Sequence, residues 1–158
     1  MADSLVWELI KNNNCFLHKR AHAKRAGAVQ LSCEPGNVLG VHSFKYSGVA
    51  NSKAVDVRTS VDPETNGTVV SLVYKNAKES SKPKKSTSSS VLKVSKGPKK
   101  ISAEIAGVCS ATEGKSYYRA DLTTAAKIKY AKIANGVRVK NGYIKKGTGA
   151  RTGRKCLK

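Results

Sequence analysis

The stretch Ala54-Val55-Asp56-Val57-Arg58, followed by Asp62-Pro63-Glu64-Thr65-Asn66-Gly67 and then Val69-Val70-Ser71-Leu72-Val73-Tyr74, decides the fold. Its first part alternates apolar and polar residues, the period-two signature of a strand with one buried face. The middle has the Pro, Asn and Gly chemistry of a turn. The last part is β-branched and aromatic, which suits a pleated, half-buried surface. Together the three parts predict an antiparallel hairpin.

Working outward towards the amino terminus, Glu34-Pro35-Gly36-Asn37 breaks the chain, and Phe44, Tyr46 and Gly48 fall in a loop or short strand. Val29, Leu31 and Cys33 alternate with Gln30 and Ser32, which predicts a second half-buried strand with the first three turned inward. Cys15 to Lys19 reads as another strand. Leu5 to Lys11 suits one or two helical turns capped by a side-chain oxygen of Asp3 or Ser4, ended by Asn12-Asn13-Asn14. Residues 5–75 thus read as a small α+β domain, a mainly antiparallel sheet with one helix packed on it and Trp7 in the core.

Towards the carboxyl terminus the texture changes. Residues 76–100 hold eight Lys, seven Ser, two Pro and one acid, with Val91, Leu92 and Val94 as an apolar island. Such a composition buries too little to offset its ordering entropy, which predicts a disordered linker and RNA-contact arm. Ile101, Ile105, Val108, Cys109 and Thr112 then share one helical face, predicting a helix from near Ser102 to Gly114. A further helix is expected from Asp121, its capping residue, to Asn135-Gly136, with Leu122, Ala125, Ala126, Tyr130 and Ile133 inward and Lys129 snorkelling from that face. These two helices, over 101–136, should pack on the body. Residues 137–158 read as a basic extension. The fold class is therefore α+β: a small sheet with packed helices, a lysine- and serine-rich segment, a C-terminal helix and a basic tail.

Charge is the dominant chemical fact. Thirty Lys and Arg face ten Asp and Glu across 158 residues, a formal net charge of +20. That surplus repels itself in a compact chain and calls for a polyanionic partner. No apolar run approaches the roughly 18 residues of a membrane span, and the start Met1-Ala2-Asp3-Ser4-Leu5 lacks the regions of a signal peptide, so a cytosolic or nuclear protein is expected. Cys15, Cys33, Cys109 and Cys156 stand 18, 76 and 47 positions apart, with no C-x-x-C pair, and are read as reduced thiols.

No enzyme constellation is present in the sequence. There is neither H-E-x-x-H nor G-x-S-x-G, and the glycines around Gly147-Thr148-Gly149 lack the Lys-Ser/Thr of a phosphate-binding loop. His18, His22 and His42 match no metal-ligand spacing. No cofactor and no small-molecule substrate are expected.

The cations fall in runs. His18-Lys19-Arg20-Ala21-His22-Ala23-Lys24-Arg25 places Lys19, Arg20, Lys24 and Arg25 in a loop free to meet phosphates. Lys45 and Lys53 follow. Lys82, Lys84 and Lys85 form a second run and Lys99 and Lys100 part of a third, where a nuclear-import signal competes with RNA contact. Lys127, Lys132, Arg138 and Lys140 lie on or just beyond the last helix. Lys145, Lys146, Arg151, Arg154 and Lys155 belong to the tail, which would gain order on RNA. Between the two helices, Tyr117 or Tyr118 could stack on an unpaired base while Arg119 takes a phosphate; equally, each ring could pack in the core with its hydroxyl outward. A recognition-helix pattern for sequence-specific DNA reading is missing.

Four quoted stretches carry a resemblance. Leu5-Val6-Trp7-Glu8-Leu9-Ile10-Lys11-Asn12-Asn13-Asn14-Cys15-Phe16-Leu17, Asn37-Val38-Leu39, Ser43-Phe44-Lys45-Tyr46-Ser47-Gly48-Val49-Ala50-Asn51 and Tyr117-Tyr118-Arg119-Ala120-Asp121-Leu122 resemble, in order and spacing, the eukaryotic large-subunit ribosomal protein family number twenty-eight. The resemblance spans about Leu5 to Val139. Ala120 departs from it, since members often carry proline there. A related family of ribosome-maturation factors shares the amino-terminal domain but has a cysteine cluster near Gly40 to Gly48, where this chain has none.

The resemblance implies a structural, non-enzymatic component of the large subunit of the cytosolic ribosome, assembled in the nucleolus. Its partners would be large-subunit ribosomal RNA and neighbouring ribosomal proteins, and no membrane. A nucleolar assembly factor is the alternative, and a general nucleic-acid condensing protein a third reading.

Overall fold

The computed structural model describes residues 2–19, 30–62, 67–79, 82, 85–110 and 118–141. In chain order they form α1 (Asp3–Ile10), β1 (Leu17–Lys19), β2 (Gln30–Ser32), a 3-10 turn (Phe44–Tyr46), β3 (Val55–Val61), β4 (Thr68–Lys75), a 3-10 turn (Ala77–Glu79), β5 (Thr87–Leu92), α2 (Pro98–Ser110), a 3-10 turn (Ala120–Leu122) and α3 (Thr123–Lys140). The architecture is α+β, as the sequence predicts.

The hairpin forms as its alternation requires. β3 and β4 pair antiparallel with Val57 opposite Leu72 and Thr59 opposite Val70. Val55, Val57, Val70 and Leu72 are buried to 1% exposure or less, and each such side chain contributes on the order of 1.5–3 kcal/mol. α2 and α3 cover this face. Ile101, Ile105 and Cys109 of α2 and Ala126, Tyr130, Ala134 and Val137 of α3 meet Leu122, Leu92 and the sheet valines in one core. Spacings of three or four residues place each set on one side of its helix.

The segment expected to be disordered contains a strand. β5 adds to β4 with Leu72 opposite Ser90 and Val70 opposite Leu92, so the sheet order is β3-β4-β5. Only Leu92 of β5 is buried outright, while Ser88 and Ser90 lie half-buried on the helix-facing side. Small hydroxyl side chains occupy positions where an apolar pattern would normally announce a strand; the ladder satisfies the backbone groups, and the buried Ser90 hydroxyl has no hydrogen-bond partner among the described residues. Val91 is 58% exposed.

Other boundaries shift for identifiable reasons. α3 runs through Asn135-Gly136 to Lys140, because Val137 continues the buried row of Tyr130 and Ala134; packing of that row outweighs the weak helix propensity of the Asn-Gly pair. Neither Asp3 nor Asp121 caps a helix. The Asp3 carboxylate instead accepts the backbone N–H and the hydroxyl of Ser52, both at 2.9 Å. α2 begins earlier than expected, at Pro98, whose fixed φ suits the first helical position. Residues 111–117, where its C-terminal end was expected, lie outside the described residues.

β1 and β2 form a separate two-stranded antiparallel sheet, with His18 opposite Leu31. Its facing is the reverse of the expected one: Ser32 is buried whereas Leu31 and Cys33 are exposed. Ser32 meets the loop that follows, its N–H donating to the Gly40 carbonyl at 2.9 Å. Trp7 sits outside the main core, against His42 and Phe44 with ring centroids at 4.8 and 6.0 Å.

The loop from Cys33 to Lys53 is held by polar side chains. Buried Glu34 accepts from Asn37 Nδ2 at 3.1 Å and from Ser47 Oγ at 2.9 Å. Asn37 in turn accepts the Gly40 N–H at 2.8 Å and bridges to Val55 on the β3 edge. Gly36 has φ +84°, and its Cα lies so near Gly48 that a Cβ built on Gly48 would stand 2.6 Å from it and 2.0 Å from the Pro35 carbonyl oxygen. Only two glycines allow these backbones to touch.

Candidate nucleic-acid interface

The expected phosphate ligands divide into three groups. The first is exposed and carries charge outward: Lys19 at the end of β1, Lys45, Lys82, Lys85, Lys99 and Lys100 in the first turn of α2, and Lys132 and Lys140 on α3. Lys127 and Arg138 are half-buried. Lys45 Nζ stands 5.7 Å from the Tyr46 ring centroid and Lys53 Nζ 5.8 Å from that of Tyr118, cation–π distances that fix their stems and leave their charge available.

The second group is turned inward, against expectation. The Tyr118 hydroxyl accepts the backbone N–H groups of Ala54 and Lys75 at 3.1 and 3.2 Å and faces the carbonyls of both residues, so it closes the open end of the β3–β4 ladder. Its ring packs edge-on against Tyr74 at 6.5 Å. Burial pushes its hydroxyl pKa up, with the two backbone bonds opposing. A ring and hydroxyl so engaged cannot swing out to stack on a base.

Arg119 is likewise consumed by the fold. Its guanidinium forks onto Asp121 at 2.9 and 3.0 Å and donates to the carbonyls of Lys53 at 2.9 Å and Lys45 at 2.6 Å. These hydrogen bonds hold the Asp121 carboxyl below its ordinary range. With only 16% of the side chain exposed, Arg119 is a clamp between the start of α3 and the 45–53 loop, with four of its five N–H donors already engaged.

The third group, Arg20, Lys24, Arg25, Lys84, Tyr117, Lys145, Lys146, Arg151, Arg154 and Lys155, lies outside the described residues.

α3 presents cations on two flanks. Towards α2, Lys127 and Arg138 meet Lys99 around a groove of about 490 Å³ whose lining includes Ile105, Tyr130 and Ala134. Towards β3, Lys132 joins Lys129 and Arg58 along a cleft of about 660 Å³ bounded by the Ser32–Gly40 loop. The second cleft is partly neutralised, since buried Asp56 pairs with both Lys129 and, at 3.1 Å, Arg58. Lys129 therefore reaches a carboxylate across the β3 edge, where the sequence suggested only a snorkelling stem. In the first groove no cation pairs with a carboxylate among the described residues.

One buried polar atom beside that first groove stands out. Tyr130 is 4% exposed and its hydroxyl has no hydrogen-bond partner among the described residues, an omission that costs about 1–3 kcal/mol in a folded protein. Lys75, which the cation runs did not single out, is structural: its ammonium donates to the carbonyls of Asn51 at 2.9 Å and Gly48 at 3.2 Å.

The surface so built suits a polyanion held by charge and shape. A sequence model of the ribosomal L28e protein family matches residues 5–136. The chain is 31% identical over 140 residues to the large ribosomal subunit protein eL28 of Schizosaccharomyces pombe, covering 89% of this chain and 96% of that protein. It is 38% identical over 98 residues to the protein of that name from Dictyostelium discoideum, covering 61% and 66%, and 40% identical over 92 residues to that of Caenorhabditis elegans, covering 58% and 64%. The match thus spans slightly less than two thirds of the latter two proteins and nearly the whole of the first. The matched span includes the Glu34–Asn51 loop and the Tyr118–Asp121 clamp, and the chain belongs to the ribosomal L28e protein family.

Proposed function

We propose that this chain is a structural constituent of the large subunit of the eukaryotic cytosolic ribosome, binding large-subunit ribosomal RNA and lying against neighbouring ribosomal proteins. Ribosomal L28e is a family of structural proteins and not of enzymes. One observation carries the RNA reading: in a +20 chain, Glu8, Asp56, Glu104 and Asp121 are spent on internal ion pairs, while Lys19, Lys45, Lys82, Lys85, Lys99, Lys100, Lys132 and Lys140 remain exposed. The basic runs at 19–25, 82–85 and 145–155 extend this surface in sequence. The mechanism is charge neutralisation and shape fitting; phosphate contacts position the protein without reading sequence. No described helix is long and apolar enough to cross a membrane.

The experiment is sedimentation of a gentle lysate through a sucrose gradient with detection of the chain in every fraction, repeated after a high-salt wash. Presence in mature large subunits and polysomes through moderate salt is the expected result. Confinement to nuclear precursor particles would replace this reading with the assembly-factor alternative, and a position at the top of the gradient would overturn both. For about ten phosphate contacts, log affinity for the RNA should fall against log salt with a slope of roughly −7 to −9.

A further inference from the structure

We infer that the outer edge of β5 takes up an extended segment of a neighbouring ribosomal protein as a fourth strand of the sheet. The inference rests on the proposed place in the large subunit and adds to it a docking site, a mode of pairing and the chemistry of the partner.

The register fixes which way the backbone of β5 points. Residues 70–75 of β4 pair with 92–87 of β5, and the Asn76 N–H donates to the Ser86 carbonyl in continuation of that ladder. Hydrogen-bonded positions alternate along an antiparallel pair. Ser88, Ser90 and Leu92 therefore turn their N–H and C=O groups to β4, while Thr87, Ser89 and Val91 turn theirs away. β5 is the last strand in the order β3-β4-β5, and among the described residues no group answers those of Thr87, Ser89 and Val91. The opposite edge is engaged, since Asn37 bridges to Val55 on β3.

Proteins blunt an open edge with lysine, proline, a bulge or a covering loop. Thr87-Ser88-Ser89-Ser90-Val91-Leu92 holds no charge and no proline, and its pairing with β4 runs without a bulge. Thr87, Ser89 and Val91 are exposed, which leaves room beside the edge for an incoming chain. Within the strand only Leu92 is buried outright, so a second ladder would supply order that burial does not.

The edge also selects its occupant. Its donors and acceptors alternate and repeat every two residues, about 6.8 Å, which another extended polypeptide matches. A phosphodiester chain carries only acceptors on its charged oxygens and would set them against the three carbonyls. Exposed Lys85 stands just before the strand and exposed Lys93 just after it, neither bound to a carboxylate among the described residues. A second copy paired about Ser89 would place Lys85 against Lys93 twice, which charge opposes. A segment with a carboxylate towards each end and uncharged residues between them answers both lysines.

For the test, mature large subunits are purified from cells expressing the tagged full chain with a photo-reactive phenylalanine in place of Thr87, Ser89 or Val91, one position at a time. After irradiation and digestion, all three positions are expected to cross-link to one acidic segment of one ribosomal protein, at residues spaced about two apart in consistent order. Ser89→Pro, combined with the photo-reactive residue at position 91, removes one outward N–H and leaves the β4 ladder whole. The cross-link should fall about tenfold at an unchanged thermal midpoint. If Ser89→Pro lowers the midpoint, Thr87→Pro, at the first residue of the strand, serves with the same expectation.

Nucleotide adducts at these positions overturn the docking site in favour of RNA. Cross-links scattered over several proteins, or without the two-residue spacing, overturn strand addition, as does a cross-link undiminished in both proline variants. A segment without carboxylates overturns the partner's chemistry, and the absence of adducts at all three positions overturns the inference whole. Absence of the chain from large subunits would fail the proposed function itself, a result seen before any irradiation.

Discussion

Lys129 on α3 is ion-paired with Asp56 on β3, and the two residues fasten the last helix to the edge of the sheet. The Asp56 side chain is 5% exposed and also takes Arg58 at 3.1 Å, whereas the Lys129 side chain is 29% exposed. Removing one partner of a buried pair leaves the other charge uncompensated, and partial exposure with Arg58 nearby reduces that penalty. Lys129→Met is therefore expected to lower stability by about 1–2 kcal/mol. Urea unfolding of Lys129→Met, Asp56→Asn and the double variant gives the coupling directly, and strictly additive effects would show that the pair is incidental.

Tyr118→Phe deletes one oxygen that answers two backbone segments. The Ala54 N–H loses its acceptor while the Lys75 N–H keeps the Ala54 carbonyl at 3.0 Å, with an expected loss of about 1–3 kcal/mol. For a chain of this size each kcal/mol lowers the thermal midpoint by about 2–4 °C. RNA affinity at fixed salt should not change at temperatures where the variant is folded. A large affinity loss in a fully folded Tyr118→Phe would reinstate this residue as an RNA contact.

Arg119→Lys and Lys132→Gln are expected to behave in opposite ways. A lysine cannot reproduce the fork onto Asp121 together with the two carbonyl bonds, so Arg119→Lys should lose stability and keep its salt slope. Lys132, exposed and not bound to a carboxylate in the described structure, should lose affinity, with a slope shallower by about 0.7–0.9 per contact removed, and keep its thermal midpoint. Fluorescence anisotropy across a salt series reads both.

Two glycine substitutions should differ in sign. A methyl group on Gly48 would collide with backbone at Pro35 and Gly36, so Gly48→Ala is expected to unfold the 33–53 loop or lower stability by several kcal/mol, beyond the usual range for a surface change. Gly136, within α3, has nothing within 4 Å of a built Cβ, and Gly136→Ala should stabilise by about 0.5–1 kcal/mol. Midpoints of thermal unfolding decide both.

Stability should fall at both ends of the pH scale. The Asp3 carboxyl lies below its ordinary 3.8, chiefly through the Ser52 backbone N–H, and that of Asp121 chiefly through Arg119. With folded values depressed, the unfolded chain takes up protons first as pH falls. Their stabilisation is complete above the unfolded value and is lost as pH drops through the folded one. Unfolding followed below about pH 4 should show a shallower decline in Asp3→Asn than in the wild type; an identical decline would remove Asp3 from this account. At the alkaline end, burial raises Tyr118 and Tyr130, so their contribution is present below about pH 10 and is lost as pH rises through their folded values.

The hairpin, the helical rows and the basic surplus were legible because each is a property of neighbours along the chain. Val55 and Val57, or Ile101, Ile105 and Cys109, announce a buried face by spacing alone. β5 was not legible, because its helix-facing positions are Ser88, Ser90 and Leu92: serine fits beneath a closely packed helix without leaving an apolar pattern. The α3 boundary was misplaced for a related reason. An Asn-Gly pair signals a helix end locally, while Val137 docks in the core and carries the helix onward.

Function divides along the same line. The sequence by itself determined that the chain is a cation-rich α+β protein fit for a polyanion, since net charge and periodicity are summed or read along the backbone. Only the tertiary structure decided which cations are free. Arg119 spends its fork on carbonyls up to 74 positions away and Tyr118 its hydroxyl on Lys75, 43 positions away. Lys99, Lys127 and Arg138 come together only because α2 packs against α3. Hydrogen bonds and salt bridges act over a few ångströms whatever the separation in sequence, so a charged side chain is assigned to the fold or to a partner only when its neighbours in space are known.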